Sequence, residues 1–460
     1  MSFFKFVISD LHIADGHPIL DGFSERQQSA LEGLLSAAQQ PGPLGDAEDV
    51  ELIINGDCFD FLAVSPYKTS GLTNSSTALK KLEKMIVAHG PFFAALKVFV
   101  ALSGRHVTFI VGNHDVELAF EEVRERIRQA IGTASGINFC LSRFYRPLAD
   151  VWIEHGHNYD FWNHASLIWD EKGEPLSTQP STLPLPLGTQ YFQRAAYPIS
   201  IQYPYFDHFE PAMDIMRQIA MLCLLNPALV IETAVRSMKM LSYTRKPSAG
   251  MNGDGNAQQL FEEAMADFLA FQQDMVGRKP DWNEPSGQES TQAEQMTQFF
   301  SLRDALQVHE HAAKSDRPQG SEQPQGSPLQ QAIAAICMPG NYSMGENVAR
   351  GMHAVLINDP TLRYAIAGHT HMVQLDRVND GAQVYLNTAT WTSRFALPVL
   401  DEITPELIEW LRQPDWNEVP LRDVTQLVFV FISAESGRPS HADLCVWEGG
   451  IDGNYRILYL

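Results

Sequence analysis

Five short clusters, each closing a hydrophobic run, constrain this chain more than anything else in it: Asp10-Leu11-His12, Gly56-Asp57, Gly112-Asn113-His114-Asp115, His155-Gly156-His157 and Gly368-His369-Thr370-His371. Each carries at least one side chain that binds a hard or borderline metal ion through oxygen or imidazole nitrogen. Each falls where a buried strand would give way to a loop. Together they offer about seven ligands, the complement that a two-metal hydrolytic centre requires.

The stretches between the clusters predict a layered α/β fold. Strand-like runs at Lys5–Ser9, Val50–Asn55, Val107–Val111 and Asp150–Glu154 alternate with helix-like ones. Ser24–Gln40 reads as a helix that Ser24 can cap, with Leu31, Leu34 and Leu35 on one face. Ser76 to Leu102 reads as helical with a break at Gly90-Pro91, and Val116–Ile131 as one charged amphipathic helix. Such alternation places functional loops at the carboxyl ends of strands.

The pattern changes after Phe161. A proline- and serine-rich stretch, Pro175–Pro186, precedes a long apolar helical region, Pro211–Tyr243. A glycine-rich turn follows at Gly250–Gly255, then helix-like segments at Gln258–Met275 and Glu294–Ala312. Ser315–Pro328 has the composition of a linker. Strand-like sequence resumes at Tyr364–Ala367, Gln383–Leu386, Leu427–Ile432, Asp443–Trp447 and Tyr455–Leu460. The expected organisation is therefore one α/β domain in two halves, residues 1–165 and 351–460. A mostly helical insertion, 166–350, divides them, with its linker near 315–328.

Charge and cysteine usage narrow the class. A net charge of −22 argues against binding nucleic acid or an anionic membrane through basic patches. The five cysteines are scattered with no CxxC pair, which predicts no disulfide framework and a reducing compartment. The apolar N-terminal stretch is short and runs straight into Asp10, so a cytoplasmic protein without a signal peptide is expected. No run of about 20 uncharged apolar residues predicts a transmembrane helix.

The residue types suit phosphoryl chemistry. Asp10 and His12, two apart, would share one side of an extended strand and reach one ion. Asp57 can bridge two cations, and Asn113 offers a neutral oxygen. His155, His369 and His371 offer imidazoles, the last two able to serve one ion each. Such a centre generates hydroxide at neutral pH and offsets phosphoryl charge. His114 is the expected general acid, or else an electrostatic stabiliser of the leaving oxygen, with Asp115 accepting its other ring N–H. Arg245, Lys246 and Arg394 are weighed as phosphate contacts but read first as solvated residues. Trp152, Tyr159, Phe161 and Trp162 read as wall and core. Pro211–Tyr243 reads as a buried helix in preference to an acyl tunnel or membrane contact.

In this order the motifs resemble those of the calcineurin-like metallophosphoesterase superfamily, over about 1–165 and 360–395, with Leu386–Thr392 similar to its strand after the last histidines. The resemblance implies a four-layer α/β/β/α sandwich with two metals at the strand ends. It places Asp10, His12 and His371 on the first metal and Asn113, His155 and His369 on the second. Asp57 bridges them, and His114 is the catalytic histidine. The His155-Gly156-His157 block is similar to the His-Gly-Asp block of UDP-2,3-diacylglucosamine hydrolases, with His155 as ligand and His157 in the place of the Asp. The implied activity is hydrolysis by metal-bound hydroxide of a small or lipid-linked phosphoester or pyrophosphate, selected under a cap formed by the insertion. The alternatives are a protein Ser/Thr phosphatase and a non-catalytic scaffold of the same fold. The implied cofactors are two divalent or mixed-valent ions, manganese first, with Fe, Zn or Co as substitutes. The expected partner is a phosphorylated small or lipid-linked molecule met without a membrane span.

Overall fold

The structure is a computed structural model that describes most of residues 2–210, scattered positions between 218 and 236, and most of 344–458. The readings at Gly250–Gly255, Gln258–Met275, Glu294–Ala312 and Ser315–Pro328, together with Arg245 and Lys246, lie outside the described residues.

Strands alternate in side-chain direction, and that period of two builds the protein. A seven-stranded sheet contains β1 (Ser2–Ile8), β2 (Asp49–Asn55), β4 (Arg105–Ile110), β5 (Ile137–Cys140), β14 (Leu427–Glu435), β15 (His441–Glu448) and β16 (Asn454–Ile457). Its order is β16-β15-β14-β1-β2-β4-β5, with β1, β2, β4 and β5 mutually parallel and β14 antiparallel to β1. A five-stranded sheet contains β6 (Tyr145–Leu148), β7 (Val151–Ile153), β10 (Tyr364–Ala367), β11 (Val373–Val378) and β12 (Gln383–Thr388), in the order β11-β12-β10-β7-β6. Two short pairs complete the strands: β3 (Leu72–Asn74) with β8 (Thr182–Pro184), and β9 (Phe209–Glu210) with β13 (Phe395–Ala396).

Alternate residues of the larger sheet enter different cores. Phe6, Ile8, Leu52, Ile54, Val107, Phe109, Phe429 and Trp447 join one apolar cluster with helices α1 (Glu25–Ala37), α2 (Ser75–Ala88), α3 (Gly90–Val100) and α4 (Glu121–Ile131). Their neighbours Val7, Ile53, Ile110, Val428, Val430 and Val446 join a second cluster with Val151, Ile153, Ile366 and Leu386 of the smaller sheet. On the smaller sheet, Ala365, Ala367 and Tyr385 pack with Val348, Met352 and Leu356 of a helix at Met344–Asn358. That helix spans position 350 and packs on the smaller sheet and on the turn at His157–Tyr159.

Local chemistry explains the helix ends. Ser24 forms the capping box of α1 with Gln27, as its sequence position suggests. His89 separates α2 from α3, and Gly90-Pro91 opens the second helix with proline in its first turn. The single helix expected over Val116–Ile131 is instead a 3-10 turn, Val116–Ala119, followed by α4. Buried Phe120 takes an extended conformation between them. Arg124 Nη1 donates to Leu118 O at 2.8 Å and Ala119 O at 2.7 Å, which satisfies carbonyls released by the break.

A further apolar cluster joins Tyr205, Phe206 and Phe209 to Met221, Leu222, Leu229 and Val230, and to Leu407 and Leu411 of a helix at Pro405–Arg412. The described residues of Pro211–Tyr243 are thus core-forming where they are buried. Among the described residues, no helix is long and apolar enough to cross a membrane.

Because Ile53 fills the space shared by the two sheets and is fully buried, Ile53→Ala should lower unfolding free energy by about 2–5 kcal/mol. A drop in urea midpoint at unchanged slope would show it; an unchanged midpoint would mean that the sheets do not depend on this contact.

Candidate metal centre

The five clusters meet at the carboxyl ends of β1, β2, β4, β7 and β10. Asp10 and His12 follow β1, Asp57 follows β2, Asn113 to Asp115 follow β4, His155 follows β7, and His369 and His371 follow β10. Among the described residues, eight non-glycine residues have positive φ, and five of them are Asp10 (55°), His12 (49°), Asp57 (50°), His369 (68°) and His371 (58°). Left-handed backbone is unfavourable for L-residues and persists where surrounding structure imposes it. The extended-strand geometry expected for Asp10/His12 and His369/His371 is therefore corrected. Asp10 and His12 converge and His369 and His371 fall in two separate groups, all on left-handed turns beyond the strand ends.

Hydrogen bonds hold these turns together. Asp10 N donates to Gly56 O at 3.2 Å and His12 N to Asp57 O at 3.0 Å. Trp391 N donates to Asp10 O at 3.1 Å, and His369 N to Asp10 Oδ2 at 3.0 Å. His114 N donates to Asp57 Oδ1 at 2.8 Å. Gly112 leaves room for that approach, since a Cβ there would lie 2.1 Å from Asp57 Oδ1. At Gly56, with φ at 81°, a Cβ would lie 2.3 Å from His155 Nδ1.

Among the described residues, three groups of side chains present metal-binding atoms within 4.8 Å of one another: Asp10, His12 and His371; Asp57, His155 and His369; and His12, Asp60 and His114. In the first group, His371 Nε2 lies 3.2 Å from Asp10 Oδ1 and 3.1 Å from His12 Nε2. In the second, His155 Nε2 lies 3.1 Å from Asp57 Oδ2 and 3.2 Å from Asn113 Oδ1. All seven residues named from sequence are thus brought together. Asp10 Oδ1 is sealed from solvent without a hydrogen-bond partner. Mixed carboxylate, amide and imidazole donors around such an orphaned oxygen fit a divalent cation at each of the first two groups.

The electrostatics favour positive charge at this point. Burial alone would raise the Asp10 and Asp57 carboxyls, but His155 and neighbouring imidazoles outweigh it and hold both well below the usual range. Burial alone would lower His12 and His155. Asp10 and Asp60 instead push His12 up to about 10, and Asp57 and Asp10 push His155 to about 9. His371 goes the other way, to about 3, through burial and the Arg394 guanidinium.

His114 corrects one expectation and exposes a residue that sequence reading missed. Asp115 does not face the His114 ring. Its carboxylate accepts Gly112 N at 2.6 Å and Cys58 N at 2.9 Å, tying the loop after β4 to the loop after β2. Burial and Asp57 raise Asp115 to about 7. The carboxylate that faces His114 is Asp60, whose Oδ2 is 3.1 Å from His114 Nδ1 and 3.1 Å from His12 Nδ1. Asp60 Oδ1 accepts Leu62 N at 2.9 Å and Ala63 N at 3.1 Å, which fixes its orientation. The available signal was its position three residues after Asp57. Asp160, at the end of the fourth cluster, was also missed: its Oδ2 accepts His369 Nε2 at 3.0 Å.

The remaining readings resolve by contact. His157 is buried, its ring 5.3 Å from His155 and 5.6 Å from Trp169, with neither nitrogen hydrogen-bonded among the described residues. Trp152 stacks on Phe144 at 3.9 Å and donates to Glu154, which also receives Tyr159 OH at 2.7 Å; these rings are wall and core. Trp162 is buried, and Phe161 lies outside the described residues. Arg394, read from sequence first as solvated, is buried at 6% exposure and touches His371.

Carboxylates and imidazoles gathered at parallel-strand ends have the donor chemistry of a metal-dependent hydrolase site. The model of the calcineurin-like phosphoesterase family matches residues 6–199. Over that segment, less than half of its length, the chain is similar to the family, whose members hydrolyse phosphoesters with metal ions. The Gly368–His371 cluster lies beyond the matched residues and is brought to the site by β10. No curated protein matches the chain.

Behind the site, Lys81 Nζ donates to Phe61 O at 2.5 Å, and Phe61 N donates to His114 O at 3.2 Å. Glu117 is buried nearby, and burial raises its carboxyl to about 6 despite Lys81. A carboxyl raised from about 4.5 stabilises the fold fully below that value and loses the contribution as pH climbs through 6. Glu117→Gln should therefore gain about 2 kcal/mol relative to wild type between pH 4 and pH 7. Urea midpoints at the two pH values measure this, and a constant difference would exclude the linkage.

Proposed function

We propose that this enzyme is a dinuclear phosphoester hydrolase acting on a small or lipid-linked phosphoester or pyrophosphate. The observation that carries the reading is the convergence of metal-binding atoms within 4.8 Å in two adjoining groups. Asp10, His12 and His371 would hold the first cation and Asn113, His155 and His369 the second, with Asp57 placed to serve both. Oxygen and nitrogen donors without thiolate admit Mn, Fe, Zn or Co, and the family resemblance puts manganese first. Two divalent ions held there would activate water at neutral pH and neutralise charge on phosphoryl oxygens.

The chain's own residues supply the remaining steps. His114 delivers a proton to the leaving oxygen. Burial would lower its pKa, but Asp60 and Asp57 raise it above the ordinary value, which keeps a proton available there. Asp60 Oδ2 lies beside the ring at Nδ1 as its ion-pair partner and beside His12 Nδ1. Asp115 positions the loop that carries both Asn113 and His114.

The same reading includes a four-layer α/β/β/α arrangement, supported by apolar clusters on successive faces of the two sheets. It also makes the insertion at 166–350 a mostly helical cap over the metals. Support comes from Asp207, whose carbonyl accepts Arg394 Nη1 at 2.8 Å beside His371. A cytoplasmic setting fits the free thiols of Cys58, Cys140 and Cys445.

His114→Ala should lower kcat by about 10²–10⁴-fold while metal analysis still finds both ions. Asp57→Ala should lose at least one ion. Parallel loss of metal and activity in His114→Ala would make His114 a ligand instead. Assays with p-nitrophenyl mono- and diesters, a nucleotide-sugar pyrophosphate and a phosphopeptide test the substrate class. Preference for the phosphopeptide would overturn the small-substrate reading.

A further inference from the structure

Four imidazoles stand in the two candidate cation groups, and what lies against the far nitrogen of each is not the same. His12 Nδ1 is 3.1 Å from the Asp60 carboxylate. His155 Nδ1 donates to Asn55 O at 2.7 Å. His369 Nε2 donates to the Asp160 carboxylate at 3.0 Å, leaving Nδ1 for the cation. These three partners are acceptors. They keep a proton on the far nitrogen, aim the lone pair of the near one and raise its basicity, as outer partners of metal-bound imidazoles do.

His371 is the exception. Its Nε2 faces Asp10 and His12, but its Nδ1 is met by Arg394 Nη2. A guanidinium has five donors and no lone pair, so it cannot accept the Nδ1 proton that a neutral ligating imidazole carries. It also places a positive charge directly behind the ligand. Arg394 is fixed in this place by the fold. Its Nη1 donates to Asp207 O at 2.8 Å. Asp207 belongs to a turn that β9–β13 pairing and the His208 Nδ1 to Ser393 O bond at 3.0 Å hold against residues 393–396.

We infer that Arg394 makes the two cation positions unequal. The Asp10/His12/His371 position is the weaker and exchangeable one, and the Asp57/Asn113/His155/His369 position the tighter. With Asp57 shared, the first position has two carboxylate ligands, Asp10 and Asp57, and the second has Asp57 with the neutral Asn113 amide. Each has one outer carboxylate, Asp60 or Asp160. The carboxylate balance therefore favours the first position, and the inferred order requires the Arg394 charge to outweigh it. Arg394 is thus a positioning residue that sets how readily the first ion comes and goes. This rests on the two-cation reading above and adds the order of occupancy.

The test is a calorimetric titration of the chelator-stripped full chain with Mn²⁺, with ions counted after dialysis. Wild type should bind two ions in steps separated by about 10–100-fold, the size of effect that an outer partner of a ligating imidazole has on affinity. His371→Ala should delete the weaker step and keep the tighter one. Arg394→Gln supplies an amide oxygen that can accept from Nδ1. It should tighten the weaker step by a similar factor and leave the other unchanged. Two equal steps in wild type, or loss of the tighter step in His371→Ala, would overturn the inference. So would an unchanged gap in a folded Arg394→Gln protein. If Arg394→Gln does not fold, the His371→Ala titration alone decides. A stripped wild-type chain that takes up no ion would instead remove the two-cation reading beneath it.

Discussion

Everything at this site depends on placing carboxylate and imidazole side chains where water cannot solvate them separately. Asp10 and Asp57 are buried, and each is held below its ordinary pKa by surrounding imidazoles. Buried charges persist only when paired. The pairing here is mutual and dense: the carboxylates have imidazole or backbone N–H neighbours, and of the four imidazoles in the two candidate cation groups, His12, His155 and His369 are backed by an acceptor. A divalent cation suits such a cluster because it supplies concentrated positive charge to several oxygens and nitrogens at once.

The scaffold bears the cost of that arrangement in its backbone. Five candidate ligands adopt left-handed φ, and their turns are held by bonds between loops of different strands. Asp10 illustrates the coupling. Its amide bonds to Gly56, its carbonyl receives Trp391 and Thr390, and one carboxylate oxygen receives His369 N. The other oxygen remains for a cation. The parallel strands β1, β2 and β4, packed between apolar clusters, give these loops a rigid base, so the strain is absorbed by the sheet core and not relieved locally.

The sequence exposed those parts of this design that repeat a simple rule. Strand cores at Val50–Asn55 and Leu427–Ile432, the cap at Ser24 and the break at Gly90-Pro91 follow from hydrophobic runs and from proline and serine chemistry. The seven candidate ligands stood out because each ends such a run. What it concealed depends on contacts between distant segments. The split of Val116–Ile131 is decided by buried Phe120 and by Arg124 reaching back to two carbonyls. Asp115 lies beside His114 in sequence, yet the turn sends its carboxylate to Gly112 and Cys58. Asp60 takes its place through a fold-level contact. Arg394 looked like a surface cation until β13 paired with β9 and enclosed it.

The central claim is that two separate groups of side chains each hold a cation, with Asp57 between them. Anomalous X-ray diffraction from crystals of the full chain grown with Mn²⁺ tests it most directly. Two peaks about 3.5–4 Å apart are expected, one against Asp10, His12 and His371 and the other against Asn113, His155 and His369, with Asp57 touching both. A single peak, or ions bound away from these residues, would contradict it.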